Sequence, residues 1–259
     1  MVNKLQAEVR RAANPVKAKF LAVFFKTGKG QYGENDIFLG LTVPQSRKFA
    51  VKYKGLPFSD ITQLLASKYH EERLIALLIL VHRFGTADEG LRKEIFDFYL
   101  AHTKYINNWD LVDLSADKIV GEYLVKSPQT PFSKGGERES QIPLYLKGGG
   151  RQAGGLLYKL AKSSDLWERR ISIISTYAFI KRGEYKDTLA VADILLHDSH
   201  DLIQKAVGWM LREVGKRVSQ EIEEEFLITR YKSMPRTALR YAIERFPEEK
   251  RKLYLRGEI

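Results

Sequence analysis

Ser67-Lys68-Tyr69-His70-Glu71-Glu72-Arg73-Leu74-Ile75-Ala76-Leu77-Leu78-Ile79-Leu80-Val81-His82-Arg83-Phe84 is the stretch on which the fold turns. A polar turn and an arginine lead into an unbroken apolar run, Leu74 to Val81, far shorter than the ~20 residues that a membrane span needs. It therefore reads as a helix buried inside a protein. The plan recurs at Ser163-Ser164-Asp165-Leu166-Trp167-Glu168-Arg169-Arg170-Ile171-Ser172, and a looser third variant starts at Ser199-His200-Asp201-Leu202.

Outward from these repeats, apolar residues keep helical spacing, and the alternating β-branched runs of hairpins are missing. Asn3 is expected to cap a helix to about Ala13, and Asn14-Pro15 to start a second, because proline at the first helical position has no N–H to lose. After a glycine-punctuated loop, Gly28 to Gly33, helices are expected to open at Pro44, Ser59 and Tyr69. Further helices are expected over 88–102, 108–125, 155–162, 166–181, 185–196, 202–216, 220–228 and 235–246. The expected architecture is all-α: one domain, 1–259, a curved right-handed stack of antiparallel helix pairs of the HEAT-like type. A closed helical bundle competes. Residues from about 127 to 155 hold three of the eight prolines and many glycines, and are expected to form a flexible insertion.

The chain has 259 residues, 44% of them hydrophobic and 29% charged, the composition of a globular protein with a sizeable core. With no cysteine, disulfides, thiol nucleophiles and Cys-based metal centres are excluded. The N-terminal residues have neither the apolar core nor the cleavage site of an export signal, so a cytoplasmic location is expected. Forty-three Lys and Arg against 32 Asp and Glu give a net charge of +11 and a pI near 9.6, favouring a polyanionic partner.

Nucleotide-binding loops of the G-x-x-x-x-G-K-[ST] and G-x-G-x-x-G kinds are missing. His197-Asp198-Ser199-His200-Asp201 carries metal-capable side chains, but it falls at an expected helix–helix turn where Asp198 or Ser199 serves as a cap. No metal site and no cofactor are expected. The informative cluster is Asn107-Asn108-Trp109-Asp110-Leu111-Val112-Asp113. On a helix from Asn108, Trp109 and Asp113 share a face. A core anchor and a solvated carboxylate would give the same pattern. Arg170, beside Trp167, and Trp209, between Lys205 and Arg212, add aromatic and cationic groups at intervals that a curved stack can turn into one basic groove, with Arg47 also on it.

The chain resembles the AlkD-type DNA alkylation repair glycosylases, a HEAT-like-repeat family, along nearly its whole length. The carriers are Tyr32 to Arg47, Trp109 to Asp113, Leu166 to Arg170, Ile203 to Glu213 and Met234 to Ala242. The 127–155 stretch is longer than the family's connection there. The resemblance implies excision of N3- and N7-alkylated purines from duplex DNA. With no recognised lysine nucleophile in this cluster, a monofunctional hydrolase is expected, acting as a monomer without membrane or obligate protein partner. Asp113 would be the acidic catalytic residue, Trp109 and Trp209 the tryptophans that pack on the lesion nucleotide, and Arg170, with Arg212 more weakly, phosphate contacts. The family holds the lesion through its backbone. A catalytically silent DNA-binding protein would need the basic groove but not Asp113, and a protein-interaction scaffold would need neither.

Overall fold

A computed structural model describes residues 1–126 and 152–259; they are helical, with no strand among them and one isolated bridge between Ile37 and Tyr69. The expected insertion lies outside the described residues as far as residue 151. From Gln152 the chain is helical, three residues before the helix expected at 155. Two compact units divide at residues 120 and 121.

Unit 1 holds α1 (Val2–Arg11), α2 (Pro15–Phe24), α3 (Val43–Lys52), α4 (Phe58–Leu65), α5 (His70–Thr86), α6 (Glu89–Ala101) and the short α7 (Trp109–Asp113). The apolar run lies in α5, which is buried along most of its length and packs against α3, α4, α6 and α7. Asn14 caps α2 as expected, its Oδ1 accepting from Lys17 N at 3.0 Å ahead of Pro15. Asn3 does not cap α1. The helix starts at Val2, whose N–H donates to Asp60 Oδ2 on α4 at 3.2 Å, so a carboxylate distant in sequence takes the capping role. No residue of α2 is buried, and Val16, Phe20, Val23 and Phe24 are exposed.

Unit 2 holds α8 (Glu122–Lys126), α9 (Gln152–Ala161), α10 (Leu166–Ser175), α11 (Tyr177–Ile180), α12 (Lys186–Ile194), α13 (Asp201–Arg217), α14 (Gln220–Ile228), α15 (Arg236–Ala242) and α16 (Glu248–Arg256). Here α13 is central, packing against α10, α11, α12, α14 and α15. At Gly208 a Cβ would lie 2.3 Å from the Ala238 carbonyl oxygen and 2.6 Å from Tyr241 Cβ, so only glycine lets α13 and α15 approach this closely.

Two expected helices are broken. The segment 108–125 divides into α7, a π-helical turn (Asp117–Gly121) and α8. The segment 166–181 bends between α10 and α11, where Ser175 Oγ and Thr176 Oγ1 donate back to the carbonyls of Ile171 (2.6 Å) and Ile173 (2.7 Å).

The degenerate repeat is built atom for atom. Ser67 Oγ donates to Glu72 at 2.8 Å and accepts from Tyr69 N at 3.1 Å, while Arg73 donates to the Ser67 carbonyl at 2.9 Å. Ser163, Glu168, Asp165 N and Arg169 repeat this at 2.6, 3.1 and 3.0 Å. In the third copy Asp198 takes the serine's place, accepting from His200 N at 2.9 Å on its side chain and from Gln204 Nε2 at 2.9 Å on its carbonyl. That copy therefore begins one residue before Ser199. The cap of α13 is neither Asp198 nor Ser199 but His200, whose Nδ1 accepts from Leu202 N at 3.2 Å.

Candidate functional site

Trp109 and Asp113 are the first and last residues of α7. Asn108 caps this one-turn helix, its Oδ1 accepting from Trp109 N at 2.8 Å and its Nδ2 donating to Asp36 Oδ2 at 3.2 Å. A helix of five residues has little stability of its own, and Asn108 ties it to a loop seventy-two residues away in sequence. The half-buried Trp109 ring stacks on Phe25, with centroids 4.9 Å apart and planes at 11°, and meets Phe24 edge-on at 5.9 Å. Asp113 is half-buried. Burial, with the negative fields of Asp117 and Asp113, pushes the Tyr99 phenol up, so the hydroxyl stays protonated against Ser115 Oγ at 2.9 Å.

Beneath α7 lies a buried ionic chain that sequence reading missed. His70 Nδ1 is 3.1 Å from Asp36 Oδ2 and its Nε2 is 2.8 Å from Asp110 Oδ2, while Arg73 pairs with Asp36 Oδ1 at 2.5 Å. Burial opposes a charge on His70, but the carboxylates of Asp110 and Asp36 outweigh it and raise the imidazole to about 9. At neutral pH the ring is an imidazolium donating to both carboxylates. Burial likewise pushes Asp36 upward, yet His70, Arg73 and Asn108 hold it below the usual carboxylate range. The neighbouring Glu71 accepts from three backbone amides, Leu39 N and Gly40 N at 2.8 Å and Leu41 N at 3.2 Å. Asp36, His70 and Asp110 span seventy-four positions of sequence, and only the last stood in a stretch singled out for chemistry. The available signal was the dense polar run Tyr69 to Arg73 directly ahead of the most apolar helix.

In unit 2, Trp209 and Arg212 share α13, and Arg170 of α10 packs against its first turn. Trp209 is half-buried and tilts over Tyr177 at 6.5 Å and 36°; the guanidinium of Arg217 lies over the same tyrosine at 5.2 Å. Arg170 is only 5% exposed and donates to the Leu202 carbonyl. Arg212 pairs with Glu244. Arg47 lies on α3 and is exposed. Thus Trp109 and Asp113 share one short helix of unit 1, while in unit 2 Trp209 and Arg212 lie on α13 and Arg170 is bonded to the first turn of that helix. Among the described residues no group of three or more His, Asp or Glu is placed to hold a metal ion, and no helix is long and apolar enough to cross a membrane.

A solved structure entitled "Predicted DNA alkylation repair enzyme from Enterococcus faecalis" superposes on 91% of this chain and 97% of its own with a TM-score of 0.63. At 14% identity that likeness concerns the fold. No curated protein sequence matches the chain. The family model described as DNA alkylation repair enzyme matches residues 5–133 and 144–246, taking in α7, α10 and α13 with every residue of both clusters. The chain belongs to the DNA alkylation repair enzyme family.

Proposed function

We propose that the protein is a monofunctional DNA glycosylase that removes N3- and N7-alkylated purines from duplex DNA, acting as a cytoplasmic monomer. The observation that carries this reading is the pairing of a half-buried tryptophan with a carboxylate at the two ends of α7, a turn held by Asn108. Alkylation at N3 or N7 gives the purine a formal positive charge, so the base departs readily and needs little acid catalysis. Water adds at C1′ as the N-glycosidic bond breaks, and the proton it loses passes to solvent. The bond's electron pair leaves with the base and cancels its charge. What requires stabilisation is the cationic sugar of the transition state, as in glycoside hydrolysis generally. Asp113 supplies a negative charge for it and orients the water. Trp109 packs against the sugar–phosphate, offering a π face to the developing cation, and Trp209 is assigned to DNA packing within unit 2. This chemistry needs no cofactor or metal.

Arg170, Arg212 and Arg47 are assigned to phosphates, in keeping with the net charge of +11. Replacing one such arginine by alanine should weaken lesion and undamaged duplexes alike and lower the slope of log affinity against log salt by about one. Arg47→Ala and Arg170→Ala, titrated at several salt concentrations, check this. An unchanged slope for Arg170→Ala would leave that guanidinium with its bond to Leu202 and no phosphate.

The activity itself is tested on methylated duplex DNA. Release of 7-methylguanine and 3-methyladenine, leaving abasic sites in unbroken strands, is the expected outcome. No release from DNA that the protein binds would favour the silent DNA-binding protein. A borohydride-trapped adduct at a lysine would overturn the monofunctional mechanism.

A further inference from the structure

His70 takes no part in the excision chemistry, yet two tethers of α7 pass through its ring. Nε2 donates to Oδ2 of Asp110, the second residue of α7, at 2.8 Å. Nδ1 donates to Asp36 Oδ2 at 3.1 Å, and the same oxygen accepts from Nδ2 of Asn108, the cap of α7, at 3.2 Å. A third route runs through ring faces. His70 stacks on Phe38 at 4.4 Å, Phe38 on Phe25 at 4.9 Å, and Phe25 on Trp109 at 4.9 Å.

Making both hydrogen bonds takes two N–H groups, which only the imidazolium has. The two carboxylates are unequally supplied. Asp36 is also held by Arg73 and Asn108, whereas Asp110 Oδ1 is buried with no hydrogen-bond partner among the described residues, so that His70 Nε2 is the donor holding this carboxylate. A neutral ring keeps one N–H. On Nδ1, it leaves the Nε2 lone pair facing Asp110, and the first tether is lost. On Nε2, it leaves the Nδ1 lone pair facing the oxygen that Asn108 holds, and the cap is disturbed. Either tautomer therefore loosens a one-turn helix that has little stability of its own.

Asp36, from the loop between α2 and α3, and Asp110, from α7, set negative charge on the ring; Glu71 and Arg73 stand on its own helix. Lys17 of α2 lines the same cavity, to which α3 contributes Val43 and neither α4 nor α6 contributes a residue. The carboxylates in direct contact outweigh burial and the cations, and the ring loses its proton at about 9.

We propose that protonated His70 is a positioning residue for excision: it fixes α7 so that Trp109 and Asp113 meet the lesion sugar together, and loss of its proton disengages them. Its effect on rate rests on the excision reading, whereas its hold on Trp109 does not.

Fluorine NMR of the full chain labelled with 5-fluorotryptophan separates the three tryptophans, assigned by Trp109→Phe, Trp167→Phe and Trp209→Phe. The Trp109 resonance should move with a midpoint near pH 9 that Trp167 and Trp209, both in unit 2, do not share. In His70→Gln, with its fold checked by circular dichroism, that step should vanish. Single-turnover excision of 3-methyladenine, with the duplex saturated by protein, should be about tenfold or more slower in His70→Gln at pH 7, since slight misplacement of catalytic groups costs at least this much. The ratio of the two rates should approach one above about pH 9, and the substrate's own response to pH cancels in it. A residue that only stabilised the fold would leave the ratio constant while both proteins stay folded. A Trp109 resonance that does not titrate, the same step in folded His70→Gln, or a ratio independent of pH would overturn the positioning role. If His70→Gln fails to fold, the wild-type fluorine titration decides alone. No excision by the wild type at any pH would sink the excision reading and leave that titration to judge His70.

Discussion

Asp113→Asn is expected to bind alkylated duplex DNA with near wild-type affinity and to release 7-methylguanine from it at least about a hundredfold more slowly. The amide keeps the shape of the carboxylate and removes the charge that faces the sugar cation, and one well-placed electrostatic group is worth roughly this much. The loss should appear in single-turnover excision and leave the binding isotherm alone. Trp109→Ala should lower both quantities, because its ring serves ground state and transition state alike. Loss of the Trp109 ring also uncovers Phe25, on which it stacks at 4.9 Å. Excision by Asp113→Asn at the wild-type rate would remove Asp113 from the chemistry.

The second large effect is on stability. His70 rises from 6.5 in a solvated chain to about 9 in the folded protein, through Asp110 and Asp36 and against the opposition of burial. A group whose folded value lies above its unfolded one stabilises the fold fully below about 6.5 and loses that contribution as pH climbs through about 9. The interval corresponds to about 3 kcal/mol. The wild-type Tm should therefore fall between pH 7 and pH 10, against the relief of self-repulsion that a protein of pI near 9.6 gains over that interval. His70→Gln should be less stable at pH 7 and nearly flat across the same interval. Parallel curves for the two proteins would show that the imidazolium contributes nothing.

What sequence reading recovers here is what the chain decides locally. Asn14-Pro15 announces a helix start, and the Asn14 side chain accepts the backbone N–H three residues on at 3.0 Å. The α5 run is legible because eight successive apolar residues can only be inside, and Trp109 with Asp113 because four residues make one helical turn. Where distant groups decide, local signals fail. Asn3 lost its capping role to Asp60, and the helix expected over 108–125 breaks into three parts. The helix Glu248–Arg256 went unread because only its Tyr254 is buried, leaving no apolar stripe to see. The chain of Asp36, His70 and Asp110 is invisible for the same reason: no spacing rule links positions 36, 70 and 110. The fold was thus legible in its class and most of its helices, and the candidate site in its α7 pair. Its buried support was not legible.

Glu71 has a consequence for time as well as for energy. The amides of Leu39, Gly40 and Leu41 belong to no helix or strand, and by their irregular backbone they would be expected to trade their protons with solvent quickly. Each instead donates to a carboxylate that is only 2% exposed and sits in the first turn of α5. Releasing any one of them means exposing that carboxylate's surroundings, an opening as large as the loss of α5 itself. In deuterium exchange these three loop amides should persist alongside Ile75 and Leu77, while the regular helix α2, with no buried residue, exchanges early. The slowest clock in unit 1 runs partly in a stretch with no regular structure.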